Sequence, residues 1–281
     1  MSEDTSFIGL LKNKWNEGKF VCVGLDSEYS ALPHASKKSE SIEDNLVVFN
    51  LAIVDATANL VNSYKINSAF YESLGPEGWS ALIKTVKYIK TTYKGILVIL
   101  DAKRADIGST NLGYIKMAFD EVGVDAITVH PYLGMDALQP FLDLKDKGIL
   151  VLARTSNPGS GEFQDLEFKG KALYEIVAEH VAKKWNKNNN CGLVVGGTFP
   201  EDLKKVREAA PNLPILVPGI GAQGGDLKGV LKNGLDKNKQ GLIINSSRGI
   251  IFASSKGDFA DRAREETEKL HKQIQEIIKN V

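Results

Sequence analysis

Cysteine is almost missing from this 281-residue chain: only Cys22 and Cys191 occur, both in apolar, strand-like runs. That excludes a disulfide framework and a cysteine-built zinc site, and it assigns both thiols to core packing. Net charge is missing as well, because Lys+Arg and Asp+Glu each number 35. A balanced chain has no field to draw in nucleic acid or an anionic membrane, so neither is expected as a partner. The short lysine pairs at 37–38, 183–184 and 204–205 read as solvated helix faces or loops. No apolar stretch approaches the ~20 residues needed to span a bilayer. The N-terminal MSEDTSFIGLLKNKW is acidic and then amphipathic, without the apolar core of a signal peptide, so a cytosolic protein is expected. No linker or composition break divides the chain, and residues 1–281 read as one domain.

What the chain does have is a rhythm. Its 43% hydrophobic content suits a soluble protein with a sizeable core. Eight short apolar or β-branched runs recur, at 20–26, 62–67, 96–103, 126–130, 148–155, 192–198, 215–220 and 241–248. Between them lie helical patterns. In WSALIKTVKYIKTTY, Leu82, Val86 and Ile89 share one face and lysines occupy the other. Continuous apolar strands separated by helices imply a parallel sheet covered on both faces. Eight such units match a (β/α)8 barrel, with a doubly wound open sheet as the alternative. Two connections are long and polar: 27–44, ahead of the helical EDNLVVFNLAIVDATANLV, and the glycine-rich 156–169, which reads as a mobile loop.

In a barrel, functional residues come from the C-terminal ends of the strands. Read there, the sequence supplies Asp26, Lys65, Asp101, Lys103, His130, Thr155, Thr198, Ser247 and Arg248. The densest cluster is the third run, where GILVILDAKRADIGSTN ends in Asp101, Lys103, Arg104 and Asp106. Residues two apart on a strand share a face, so Asp101 and Lys103 should look together into the barrel mouth, with Lys65 arriving from the second strand. Alternating charges keep one another ionised, which makes Lys103 a cationic anchor and proton donor rather than a Schiff-base nucleophile. After the seventh and eighth runs, PGIGAQGGD and INSSRGI expose backbone N–H groups where this fold usually cradles phosphate. Arg248 and Gln223 could bind that phosphate. Gly219, Gly221 and Gly224 also spell G-x-G-x-x-G, but the motif follows the seventh run and lacks a strand ending in an acid about 20 residues on. A dinucleotide site or a plain glycine turn remain the other readings.

The block DAKRADIGST, with GLD at 24–26, YKIN at 64–67, TSNPG at 155–159, PGIGAQGGD and SSRGI, resembles the orotidine 5′-phosphate decarboxylase family along nearly the whole chain. TSNPG and the chain length look most like its second, bacterial and protozoan-type subgroup. The resemblance implies a cofactor-free and metal-free (β/α)8-barrel enzyme that converts orotidine 5′-monophosphate to UMP. It implies that Lys103 protonates C6 of the pyrimidine, that Asp101 sits against the substrate carboxylate and that Lys65 bonds Asp101 and the ribose. Asp26 would bind the ribose hydroxyls and Ser156 would read the base. Pro218 would line the substrate site, and Gln223, Ser247 and Arg248 would hold the phosphate. Asp106, with Ile107 and Thr110, would enter the site of a neighbouring subunit in a homodimer. Two rivals remain from the residues alone. One is a Mg-dependent sugar-phosphate decarboxylase or synthase sharing D-x-K-x-x-D; the other is a nucleotide-binding protein without catalysis.

Overall fold

The computed structural model describes residues 4–221 and 225–281. Each of the eight runs forms a strand: β1 (Val21–Gly24), β2 (Val61–Asn67), β3 (Leu97–Arg104), β4 (Ala126–Val129), β5 (Gly148–Arg154), β6 (Cys191–Val195), β7 (Ile215–Val217) and β8 (Leu242–Ser246). All neighbouring pairs are parallel, and β1 closes on β8 with Val21 opposite Ile244. Closure decides against the open doubly wound sheet. It also explains why the strands read as unbroken apolar runs, since one face packs in the lumen and the other under helices.

β2 shows how the alternation is used. The Tyr64 hydroxyl donates to the Val54 carbonyl, on the helix Ile42–Thr57, so Tyr64 points outward. Ser63 and Lys65, one residue away on either side, therefore face the lumen. Helix Ile42–Thr57 starts at Ser41, whose hydroxyl accepts from the Asp44 amide, with Glu43 and Asp44 in its positive first turn. It stops earlier than the sequence pattern suggests, because a 3-10 turn at Ala58–Leu60 leads directly into β2. Helix Gly75–Thr92 buries Leu82, Val86 and Ile89, the face read from their spacing.

The N-terminal helix Phe7–Asn16 packs under the barrel. The Phe7 amide donates to the Asp146 carbonyl, and Trp15 Nε1 donates to the Leu242 carbonyl at 2.8 Å, both near strand starts. With that end covered, the C-terminal mouth is the open one. Around it, residues 27–44 contain two single 3-10 turns, Tyr29–Ala31 and His34–Ser36. The 156–169 connection has more structure than a bare loop. It contains a 3-10 turn (Pro158–Ser160), a helical turn (Gly161–Gln164) and one arm of a small hairpin, Glu167–Phe168 with Lys171–Ala172. The reason is anchorage. Gln164 accepts from the Thr155 amide and donates to its hydroxyl, both at 2.9 Å, while Arg154 pairs with Asp165 at 3.0 Å.

Cys22 in β1 and Cys191 in β6 are free and buried. Burial pushes their thiols up, to about 11 and about 12, so both stay protonated and inert. Among the described residues, no helix is long and apolar enough to cross a membrane.

Candidate active site

β3 is not a regular strand where it reaches the mouth. Leu100 pairs with Ile127 and Arg104 with Val129, so Asp101, Ala102 and Lys103 together oppose only Thr128 of β4. The surplus residues bulge, and Lys103 takes a left-handed φ of 48°. Such a backbone is strained for a residue with a side chain, and bulges of this kind re-aim side chains beside functional sites. Asp101 and Lys103 do end up together, but through the bulge rather than through simple alternation.

The result is a chain of opposite charges. Lys103 Nζ lies 2.7 Å from Asp101 Oδ1, and Lys65 Nζ lies 3.1 Å from Asp101 Oδ2. Lys65 also approaches Asp26 at 3.4 Å, and Thr128 donates its hydroxyl to Asp101 Oδ1 at 2.9 Å. Burial alone would push the Asp101 carboxyl up. The Lys65 and Lys103 ammoniums and the hydrogen bonds from Lys103 and Thr128 outweigh it, holding Asp101 well below the usual carboxylate range. Burial would likewise lower Lys65, which is 3% exposed, but the Asp26 and Asp101 carboxylates outweigh it and raise its pKa. Asp101 and Lys65 are therefore both ionised at neutral pH. In this chain the next charge along is Asp26. Asp106 instead lies beyond the strand, with its amide held by Asn111 Oδ1 and its own Oδ1 accepting from the Ile107 amide.

These charges form one wall of a cavity of about 220 Å³. Of the sequence-derived candidates, Asp26, Lys65, Asp101, Lys103, Thr155, Ser156, Pro218, Ser247 and Arg248 line it. His130 and Thr198, expected at the same rim, do not; His130 borders a separate apolar cavity with Tyr132 and Phe163. Asp106, Ile107 and Thr110 also lie outside the cavity, and Ile107 is 63% exposed. Gln223 falls outside the described residues. Sequence reading missed Asn67 and Asn245 on the polar side, and Leu152, Val194 and Leu216 as an apolar wall. Asn67 ends the YKIN motif and carried a signal. The three apolar residues look like any other core position.

Opposite the lysines, the loop after β7 turns through Gly219 and Gly221, both at φ 96°, a conformation that favours glycine. The amide of Gly197 pins that loop by donating to the Pro218 carbonyl at 2.8 Å. Ser247 crosses so close to β1 that a Cβ at Gly24 would lie 2.7 Å from the Ser247 Cβ. Among the described residues, no carboxylate lies within ion-pair distance of Arg248, which lines the same cavity. Two ammoniums, a carboxylate, a guanidinium and glycine turns around one cavity suit a phosphate-bearing substrate.

Known proteins resemble this chain over most of its length. The chain is 48% identical to an orotidine 5′-phosphate decarboxylase of Herpetosiphon aurantiacus over 87% of its length and 88% of that protein. It is 44% identical to one of Cellvibrio japonicus over 96% of its length and 98% of the relative. Among solved structures, Leishmania donovani OMP decarboxylase superposes with a TM-score of 0.80 at 39% identity, covering 95% of this chain and 98% of that one. Leishmania donovani UMP synthase superposes with a TM-score of 0.82 at 40% identity, but this chain spans only 56% of its length. The family model described as Orotidine 5′-phosphate decarboxylase / HUMPS matches residues 19–263, nearly the whole barrel, and the chain belongs to that family.

Proposed function

We propose that this protein decarboxylates orotidine 5′-monophosphate (OMP) to UMP, the closing reaction of pyrimidine nucleotide synthesis, with Lys103 as proton donor. The observation that carries the reading is Asp101 held between Lys103 and Lys65 at 2.7 and 3.1 Å, with Arg248 lining the same cavity. The phosphate binds Arg248, Ser247 and Gln223, and Pro218 packs in the loop beside it. Asp26 and Lys65 bind the ribose, and Ser156 meets the base. The C6 carboxylate then lies against Asp101. The C6–carboxylate bond breaks, CO2 leaves, and the electron pair stays on C6. A proton from Lys103 Nζ fills that position, and the neutral lysine takes a new proton from solvent.

The carbanion at C6 has no neighbouring group to delocalise it, so the barrier is very high, and acceleration on the order of 20 kcal/mol is required. A fixed ammonium at the developing charge stabilises it in a site that needs no reorganisation. Binding energy from the remote phosphate is available to close the 156–169 segment over the site. Asp106, Ile107 and Thr110 act in the site of a second subunit, which makes the enzyme a homodimer. Their position outside the chain's own cavity supports that assignment. The full 281 residues work as one catalytic domain in the cytosol, where the charged nucleotide substrate is held.

The reading that uses a divalent cation and a sugar phosphate would require Asp101 as a metal ligand. Both Asp101 oxygens already accept from ammoniums, and one also accepts from Thr128. A cation would have to displace these positive partners. Following the absorbance of OMP with EDTA-treated protein separates the readings. Turnover that survives excess EDTA supports the cofactor-free mechanism. Turnover that vanishes and returns with Mg²⁺ supports the rival, and UMP binding without any turnover supports a binding protein.

A further inference from the structure

The bulge in β3 leaves the amide of Lys103 without a backbone partner in the β3–β4 ladder, and a side chain from across that ladder supplies one. Lys103 N–H donates to Thr128 Oγ1 at 2.9 Å, and the same hydroxyl donates its proton to Asp101 Oδ1, also at 2.9 Å. Regular pairing resumes only afterwards, where the His130 amide donates to the Arg104 carbonyl. One hydroxyl therefore holds the backbone of the lysine and the carboxylate of the aspartate at once. Thr128 is fully buried and does not line the cavity, so it acts through its neighbours and not on the ligand.

Resting on the decarboxylase reading above, we infer that the Thr128 hydroxyl is a positioning group that fixes Lys103 and Asp101 relative to each other for the reaction. The need for it follows from the lysine itself. Its ammonium sits at the end of a flexible four-carbon stem, and its backbone is in a conformation that a side-chain-bearing residue leaves unless it is held. A hydroxyl can accept and donate at the same moment. An isosteric methyl can do neither, which strands a buried N–H group and leaves Asp101 Oδ1 with the Lys103 ammonium but without the hydroxyl that fixes its direction. The bulge would then relax and carry the ammonium away from C6. Binding of the phosphate and ribose, made by other strands, would be left as it was.

The test measures kcat and KM for OMP, and the dissociation constant of UMP, in wild type, Thr128→Val, Thr128→Ser and Thr128→Cys. Thr128→Val should lower kcat about 10²-fold, the loss that a misplacement of about 1 Å produces. Its KM and UMP affinity should stay within about threefold of wild type, because ground-state binding is untouched. Thr128→Ser keeps the hydroxyl and should restore kcat to within about threefold. Thr128→Cys, a weak donor of serine shape, should lose at least about tenfold. The inference is overturned by a valine variant with wild-type kcat, or by a serine variant as slow as valine. It is also overturned if UMP affinity falls in step with kcat, which marks a loosened pocket. Should the valine variant not fold, the serine–cysteine pair decides, and equal kcat values in the two overturn it. An inactive wild type would instead remove the decarboxylase reading, and that outcome is distinct from an active wild type matched by its valine variant.

Discussion

Asp101 accepts from two lysines and a threonine, and that crowding sets the chemistry available to its neighbours. It holds the Lys103 side chain in place, and on the proposed reading it sets a fixed negative group against the substrate carboxylate. Arg248 lines the same cavity. Arg248→Ala should raise KM for OMP by about 10²-fold or more, because charge-assisted phosphate bonds are lost. It should leave the slow turnover of phosphate-free orotidine unchanged. An equal loss on both substrates would show that Arg248 does not bind the phosphate. At this scale the sequence was informative, since charges gathered at the end of an apolar run are hard to explain as a solvated face. The apolar wall of Leu152, Val194 and Leu216 was not legible, because a residue facing a cavity and one facing the core obey the same burial preference.

Among the elements, all eight strands were readable from their apolar runs, and the long helices from their spacing. The bulge was not. It adds no turn residue to the sequence, and the hydroxyl that meets its free amide, that of Thr128, lies 25 positions from Lys103. The 156–169 segment, read as a mobile loop, carries short elements that were not legible because they are held by the strand before it. Arg154 is 5% exposed, pairs with Asp165 at 3.0 Å and Asp202 at 2.9 Å, and stacks over Phe199 at 4.2 Å. This one cation ties the segment to β5 and to the helix Pro200–Ala209. Arg154→Met should destabilise the protein by about 3 kcal/mol, since it leaves Asp202 without its buried partner. Asp165 is half exposed, and Asp165→Asn should cost less than about 1 kcal/mol. Urea unfolding measures both, and equal losses would show that Arg154 does not anchor through its buried side.

For the whole molecule, the barrel explains how residues far apart in sequence meet at one mouth, and it also leaves Asp106 on the outside of its own cavity. If Asp106 serves a partner, Lys103→Ala and Asp106→Ala homodimers should each be nearly inactive. Mixed by unfolding and refolding, they pair at random. About half the dimers are then hybrid, each with one intact and one doubly damaged site, so about a quarter of wild-type activity should return. No recovery, with subunit exchange confirmed by mass spectrometry, would place Asp106 in its own chain's site. The central claim rests on one side chain and can be tested without assuming the assembly. Turnover of OMP by EDTA-treated Lys103→Ala, compared with wild type, should fall far beyond the 10²–10⁴-fold typical of losing a general acid. UMP should still bind, because its phosphate and ribose contacts remain. Activity within about tenfold of wild type would contradict the account.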